Sequence, residues 1–515
     1  MMRRVVGDGV APALFGVLAT FGFAPWHCYP VTLISVIGLL VLWRRAGPAR
    51  GAWRGFVFGC ALFGTGVSWV YVALHTYSGI AAPLAGLAVA ALVGYLAIYP
   101  ALAGAVAAAT RRFAAPIWAL LIVPAAWGLS ELLRGWVGTG FPWLSLGYST
   151  VAAPLNGVAP LLGSYGLSIV LVAAAGALWL LYAGALIARL IALALVAVLP
   201  VLVWWVPSAA HWTQPVGPRL RVAIIQGNID QADKWQPAHR AETLARYRDM
   251  TARSRADLVV WPEVAIPAPA EQVVPYLKQL RRTAAQRNQT VLAGLLWPAA
   301  NSRGYHNSVL ALGQGRGRYD KRHLVPFGEY VPGPAWLTGH LSNMGAPVGR
   351  TVAGPVTQPL LHSHGVALGL SICFEDLFAR DIARDLPMAG MLINVTNDAW
   401  FAGTPALAQH LDIARMRALE SGRPLVRAAN TGISALIGFD GHVYQHTAAD
   451  ESARLIAPMV PRRGLTPYMA YGDTPLWWAT SAVVMLGLLG AWGLRWRAAR
   501  LRRPAERRRA LRARL

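Results

Sequence analysis

Apolar residues fall into long runs over the first 206 positions, separated by short polar breaks. A helix that crosses a bilayer needs about 20 such residues. Runs of this kind cover 9–27, 30–43, 55–74, 82–109, 114–132, 165–187 and 190–206, and one more covers 475–494. Together they predict a multi-span α-helical membrane domain of about eight helices, the short second run being either extended or re-entrant. Between 207 and 474 the texture changes. "RLRVAIIQGNI", "ADLVVWPEVAI", "QTVLAGLLWPA", "HNSVLALG", "GVALGLSICF", "GMLINVTNDAW" and "RPLVRAANTGISALIGFDG" read as strands, while "VVPYLKQLRRTAAQRN" and "LAQHLDIARMRALESG" read as helices. Strands alternating with helices predict an α/β domain, and about 250 residues are ample for one core. The predicted organisation is seven membrane helices in 1–206, a catalytic-sized domain in 207–474, an eighth helix in 475–494 and a tail in 495–515.

Charge decides how this arrangement is oriented. The 515 residues are 55% hydrophobic and only 14% charged, yet the net charge is +24. The pI is near 10.9 and the mean hydropathy +0.42, too apolar for an ordinary soluble protein. A basic balance suits a nucleic-acid binder or a membrane protein, and position separates them. Arginines gather at the ends of apolar runs: Arg3 and Arg4, Arg44 and Arg45, Arg50 and Arg54, Arg111 and Arg112, and densely in the tail. Cytoplasmic loops of membrane proteins have this character. With the N-terminus inside and eight spans, these groups, Arg189 and the tail all fall inside, and 207–474 lies outside. The tail also suits anionic lipid headgroups or RNA. Within 207–474 no arginine stripe is interleaved with aromatics, which argues against a nucleic-acid partner. The runs before residue 130 carry almost no ionisable residues, which argues against a transporter. No convincing small-residue cleavage site follows the first run, so it reads as a retained helix.

Cysteine is scarce: Cys28, Cys60 and Cys373 offer neither metal-ligand spacing nor a close pair, so no metal, cofactor or structural disulfide is expected. Cys373 stands at the end of the strand "GVALGLSI", beside Glu375 and Asp376. Carboxylates suppress the reactive thiolate. Cys373 is therefore either a small core residue or a nucleophile activated by something nearby. Glu263, in "LVVWPEVAIP", follows a strand, and Lys321 and Glu329 share the loop "GRYDKRHLVPFGEYVP". Singly, each is an ordinary surface residue. Together, a Glu, a Lys and a Cys at sheet edges suit acyl transfer through a thioester. Glu263 would take the thiol proton, and Lys321 would lower the thiol pKa and steady the oxyanion. The backbone N–H of Phe374 is a second oxyanion donor, and Glu329 and Glu375 would orient Lys321 and the base. The aromatic stretch "GWVGTGFPWLSLGYS" either lines the mouth of this site or forms an interfacial belt.

The segments "WPE", "DKRHLVPFGEYVP", "CFED" and "NDAWFAGTPALAQHLDIARMRALESGRPLVRAANTG" resemble the nitrilase (carbon-nitrogen hydrolase) superfamily. With the flanking apolar runs the chain resembles its membrane branch, the apolipoprotein N-acyltransferase family, over nearly its whole length. The resemblance implies an αββα sandwich set on eight membrane helices. It implies Glu263 as base, Lys321 as charge stabiliser and Cys373 as acylated nucleophile, with Glu329 and Glu375 as supporting acids. Trp235, on the rim, and Phe327 and Phe374 are implied as substrate-binding. The implied reaction moves an acyl chain from a phospholipid to Cys373, then to the α-amine of a diacylglyceryl-modified apolipoprotein. The implied location is the bacterial inner membrane, multi-pass, with the catalytic domain facing the periplasm. Two departures are visible: Phe374 stands where some relatives carry tyrosine, and Ala402 interrupts a turn usually built on glycine. The alternative is a membrane-tethered nitrilase-like amidase, since hydrolysis shares the same thioester.

Overall fold

In the computed structural model, which describes residues 6–205, 209–300, 304–330 and 351–512 (side chains at 199–205, 209 and 498–512 excepted), every strand read from the sequence is present. One six-stranded sheet runs in spatial order Ala453–Met459, Leu220–Gln226, Leu258–Val260, Thr290–Pro298, Tyr305–Gly313, Arg318–Asp320. The second runs Val443–His446, Ala435–Ile437, Leu425–Ala429, Met391–Thr396, Val366–Ile372, Leu361–Ser363. In each sheet three neighbouring strands are parallel. Strands of this kind are covered on both faces, which explains their unbroken apolar runs.

The period of two along each strand sorts residues between layers. Leu220, Val222 and Ile224 meet Leu368, Leu370 and Ile372 in the core between the sheets. Ala223 and Ile225 face outward, with Val259 and Val291, onto Tyr247 of the helix Pro237–Ala252 and onto Leu277 and Leu280 of Val274–Gln286. On the far side Leu392, Leu425 and Ile437 pack against Ala414 and Ala418 of the helix Ala406–Ser421. The four layers form an αββα sandwich. Truncating a fully buried member such as Ile224 or Leu368 to alanine costs about 2–5 kcal/mol.

Each apolar run carries a helix, with altered limits. Ala82–Ala109, Ala115–Arg134, Pro154–Ala183 and Thr474–Arg497 are long and apolar enough to cross a membrane. Pro48–Gly66 and Val70–Tyr77 are bent by 59° and make a fifth candidate if they act as one span. Val6–Thr20, Tyr29–Arg44 and Leu186–Val198 are apolar but shorter. The run 9–27 ends early as a helix because Phe21–Cys28 folds into turns, and 55–74 is broken at Val67–Trp69. Eight crossings therefore require the bent pair and the three shorter helices to span as well. Arg3, Arg4 and the arginine side chains beyond 497 lie outside the described residues.

The helix Ala406–Ser421 joins the two halves. Its opposite face puts Ile413, Met416 and Leu419 into a cluster with Trp127, Trp143 and Leu167 of the N-terminal helices. His27, in the turn after the first helix, meets Asp412 of that helix at 2.7 Å. The sandwich thus sits on the helical base chiefly through this helix, which ends at Gly422 with φ +61°, together with Phe374, Leu377 and Phe378 of the neighbouring turn.

Candidate active site

Parallel strands end on one side of their sheet, and loops there converge. Cys373 directly follows Val366–Ile372, Glu263 stands three residues after Leu258–Val260, Lys321 follows Arg318–Asp320, and Asn397 follows Met391–Thr396. Both carboxyl-bearing turns are held by close packing or strain. Cys373 has φ +54° and Val264, next to Glu263, φ +46°, conformations that non-glycine residues hold only under constraint. Gly294 makes room for the second turn: a Cβ there would lie 2.3 Å from the Pro262 carbonyl oxygen.

Lys321 is 1% exposed and sits between two carboxylates. Its Nζ lies 2.9 Å from Glu329 Oε2 and 3.7 Å from Glu263 Oε1. Glu263 is fixed further: Asn307 Nδ2 donates to Oε1 at 2.7 Å and the Asn397 N–H to Oε2 at 2.8 Å. The buried ammonium of Lys234 donates to the Glu263 carbonyl at 3.1 Å, and burial brings its pKa down to about 8. Glu375 collects four donors: the N–H groups of Ile372, Arg322 and His323 and the Tyr319 hydroxyl, at 2.6–2.9 Å. It thereby ties the turn at Cys373 to the loop that carries Lys321. Burial pushes its carboxyl up to about 7 against those donors.

The electrostatics correct one expectation from sequence. Burial raises the Cys373 thiol well above its ordinary value, Glu263 adds to this, and Lys321 lowers it without overcoming either. Among the carboxylates, Glu263 raises it most, followed by Asp398. The resting sulfur is therefore a thiol, and a nearby base must take its proton at the moment of attack. Burial also opposes the Lys321 charge, but Glu329 and Glu263 outweigh it and raise its pKa, so the ammonium persists. A fixed cation, a carboxylate base and a thiol can together form and resolve a thioester.

Glu263, Lys321, Glu329 and Cys373 are brought together as read from the sequence. Glu375 is held by backbone N–H groups and the Tyr319 hydroxyl, and Lys321 acts on it through its charge. Phe374 is buried and meets the rings of His323 and Phe378 edge-on and that of Phe141 at a tilt. The stretch 135–149 therefore packs against the turn at Cys373: Phe141 touches Phe374, and the Trp143 indole donates to Gln409 at 2.7 Å. Trp235 and Phe327 are exposed, at 47% and 60%, next to Lys234 and within the Lys321–Glu329 loop respectively. Sequence reasoning missed Asn307, Asn397 and Lys234. Asn307 carried a signal, since asparagine is depleted in strand interiors.

The family model described as the apolipoprotein N-acyltransferase N-terminal domain matches residues 15–177, and that described as carbon-nitrogen hydrolase matches 221–464. An apolipoprotein N-acyltransferase of Methylococcus capsulatus is 40% identical over 463 residues, 89% of this chain and 92% of its own length. One from Nitrosomonas europaea is 37% identical over 495 residues, 94% and 97% respectively. Among solved structures, the CN-hydrolase superfamily protein XC1258 from Xanthomonas campestris is 18% identical with a TM-score of 0.36, covering 50% of this chain and 95% of that one.

Proposed function

This chain belongs to the apolipoprotein N-acyltransferase family, and on that premise we propose that it moves a fatty acyl chain from a membrane phospholipid to an apolipoprotein. The acceptor is the α-amino group of the N-terminal diacylglyceryl-cysteine. The protein is a membrane-bound acyltransferase. The observation that supports this reading best is Lys321, buried between Glu263 and Glu329 and electrostatically coupled to Cys373, on a sandwich seated on apolar helices.

Glu263 takes the thiol proton as the sulfur attacks the ester carbonyl carbon of the phospholipid. The oxyanion forms beside the Lys321 ammonium and the Phe374 N–H, which lies in the first turn of the Cys373–Leu377 helix and so has no intrahelical acceptor. Collapse breaks the ester C–O bond, and Glu263 returns its proton to the departing glycerol oxygen, releasing a lysophospholipid. In the second step the free amine attacks the thioester, its proton passes to Glu263, and the sulfur leaves and is reprotonated. Trp235 and Phe327 border the entry for both lipid substrates. Residues 207–474 form the catalytic domain on the periplasmic face of a bacterial inner membrane, with the arginine-rich loops and tail in the cytoplasm, a sidedness supported by the positive-inside rule.

Mass spectrometry of purified protein after incubation with phospholipid tests the reading. A hydroxylamine-labile acyl adduct on the Cys373 peptide is expected, together with lysophospholipid. An adduct that persists in Cys373→Ala, or none in the unaltered protein, overturns it.

A further inference from the structure

Beside the nucleophile turn lies a set of charges that these steps do not use. His410, 1% exposed on the helix Ala406–Ser421, stands between two carboxylates. Its Nδ1 is 3.0 Å from Asp398 Oδ1 and its Nε2 3.0 Å from Asp376 Oδ1. An ionised carboxylate only accepts, so both ring nitrogens donate and His410 is an imidazolium. Burial and Arg427 work against that charge, but the two aspartates outweigh them and hold the His410 pKa up to about 9. Arg427 completes the set, with Nη2 2.7 Å from Asp398 Oδ2 and Nη1 2.7 Å from Asn394 Oδ1 and 3.4 Å from Asp376 Oδ2. Two cations and two anions cancel, which is how four charges remain buried.

One hydroxyl connects this set to the nucleophile. Thr396 stands beside Cys373 across two parallel strands, one step beyond the Ile372–Val395 pair, and Asn394, two residues before it, donates to the Cys373 carbonyl at 3.4 Å. Its hydroxyl donates to Asp398 Oδ1 at 2.8 Å and also helps hold the Cys373 thiol pKa down. Its single proton serves one of them at a time. Asp398 does not depend on it, because His410 already donates to Oδ1 and Arg427 to Oδ2. We propose that Thr396 is a further catalytic residue, whose hydroxyl turns from Asp398 to donate to the Cys373 sulfur as the thiol gives its proton to Glu263, and that His410 and Arg427 are positioning residues that leave it free to turn. The thiolate then has a hydrogen-bond donor as well as the Lys321 cation, and the same donor serves it as leaving group in the second step. The inference rests on Cys373 as nucleophile, and not on which acyl donor or acceptor it meets.

The charged groups that act most strongly on the sulfur are Glu263, Lys321 and Asp398, and those that act most strongly on His410 are Arg427, Asp376 and Asp398. Changing Thr396 leaves all of them in place. Thr396→Val removes the hydroxyl at nearly constant volume, and Thr396→Ser keeps it. The reading is the rate of Cys373 alkylation by iodoacetamide between about pH 7 and 9, where it follows the thiolate fraction, taken on its own peptide so that Cys28 and Cys60 do not contribute. In Thr396→Val the rate should fall about tenfold across this range, the scale of one hydrogen bond to a charged group, while Thr396→Ser stays near the unaltered protein. In His410→Gln, Asp398 needs the Thr396 proton, so the rate should fall too, and adding Thr396→Val should lower it no further. An unchanged rate in Thr396→Val, or losses that multiply in the double variant, overturns the proposal; the two Thr396 variants decide it alone if His410→Gln does not fold. Alkylation requires neither lipid nor lipoprotein, so this outcome is independent of the acyl-transfer reading.

Discussion

Replacing Lys321 by methionine exchanges the ammonium between Glu329 and Glu263 for a thioether of similar length. The two carboxylates share Asn307 as a donor, at 2.7 and 3.4 Å, and are left with no cation between them. Breaking a buried ion pair from one side costs about 3–5 kcal/mol. The site recovers part of this by binding a proton on one carboxylate. If the proton lands on Glu263, the base is lost. If it lands on Glu329, the oxyanion still lacks its cation, a loss of about 10²–10³-fold in rate. Either way the Cys373 thiol loses the charge that holds its pKa down, so acylation should fall by at least that factor. The assay is a quenched time course of acyl-Cys373 formation from phospholipid in mixed micelles. A companion variant, Lys321→Met with Glu329→Gln, removes the stranded carboxylate. It should recover much of the unfolding midpoint in detergent and none of the rate. Acylation of Lys321→Met within a few-fold of the unaltered protein would refute the role given to this residue.

Three further outcomes follow from the same geometry. The folded pKa of His410, about 9, lies above its ordinary value of 6.5, so its imidazolium stabilises the fold fully below pH 6.5. That contribution, about 3 kcal/mol, is lost as pH rises through 9; the unfolding midpoint should fall over this window, and an equal fall in His410→Gln would contradict the assignment. Trp235→Ala and Phe327→Ala should raise the phospholipid concentration needed for half-maximal acylation while leaving the alkylation profile of Cys373 unchanged; a shifted profile would place them in the chemistry instead of the entry. Reporters fused after Leu515 and inserted after Arg54 should read as cytoplasmic and one within 210–470 as periplasmic, and a cytoplasmic reading for the last would remove access to processed lipoproteins.

The sandwich was legible because its signals are local. Period-two apolar strands such as "LRVAII" and "VALGLSI" specify buried sheet wherever they fold, and both became strands within a residue or two of the reading. The short edge strands Arg318–Asp320 and Leu361–Ser363 were not legible, because three residues carry no periodicity and pair only once the neighbouring strand exists. Hydropathy found every apolar helix but could not see the break at Val67–Trp69, where the composition stays apolar while the backbone turns. In the site, Glu263, Lys321 and Cys373 stood out through motif and strand-end position. Asn307, Asn397 and Thr396 did not, because their roles depend on which strand ends meet. His410 was hidden for the same reason: its aspartates lie 34 and 12 positions away.

Aminolysis of the thioester tests the central claim most directly. Protein carrying acyl-Cys373, freed of excess phospholipid, is mixed with a peptide bearing a diacylglyceryl-modified N-terminal cysteine, either with a free α-amine or with that amine blocked. The free peptide should discharge the adduct into an N-acyl amide, while the blocked peptide should leave the thioester standing. Decay at the same rate with both peptides, with fatty acid released to water, would contradict N-acyl transfer and leave a hydrolase built on the same residues.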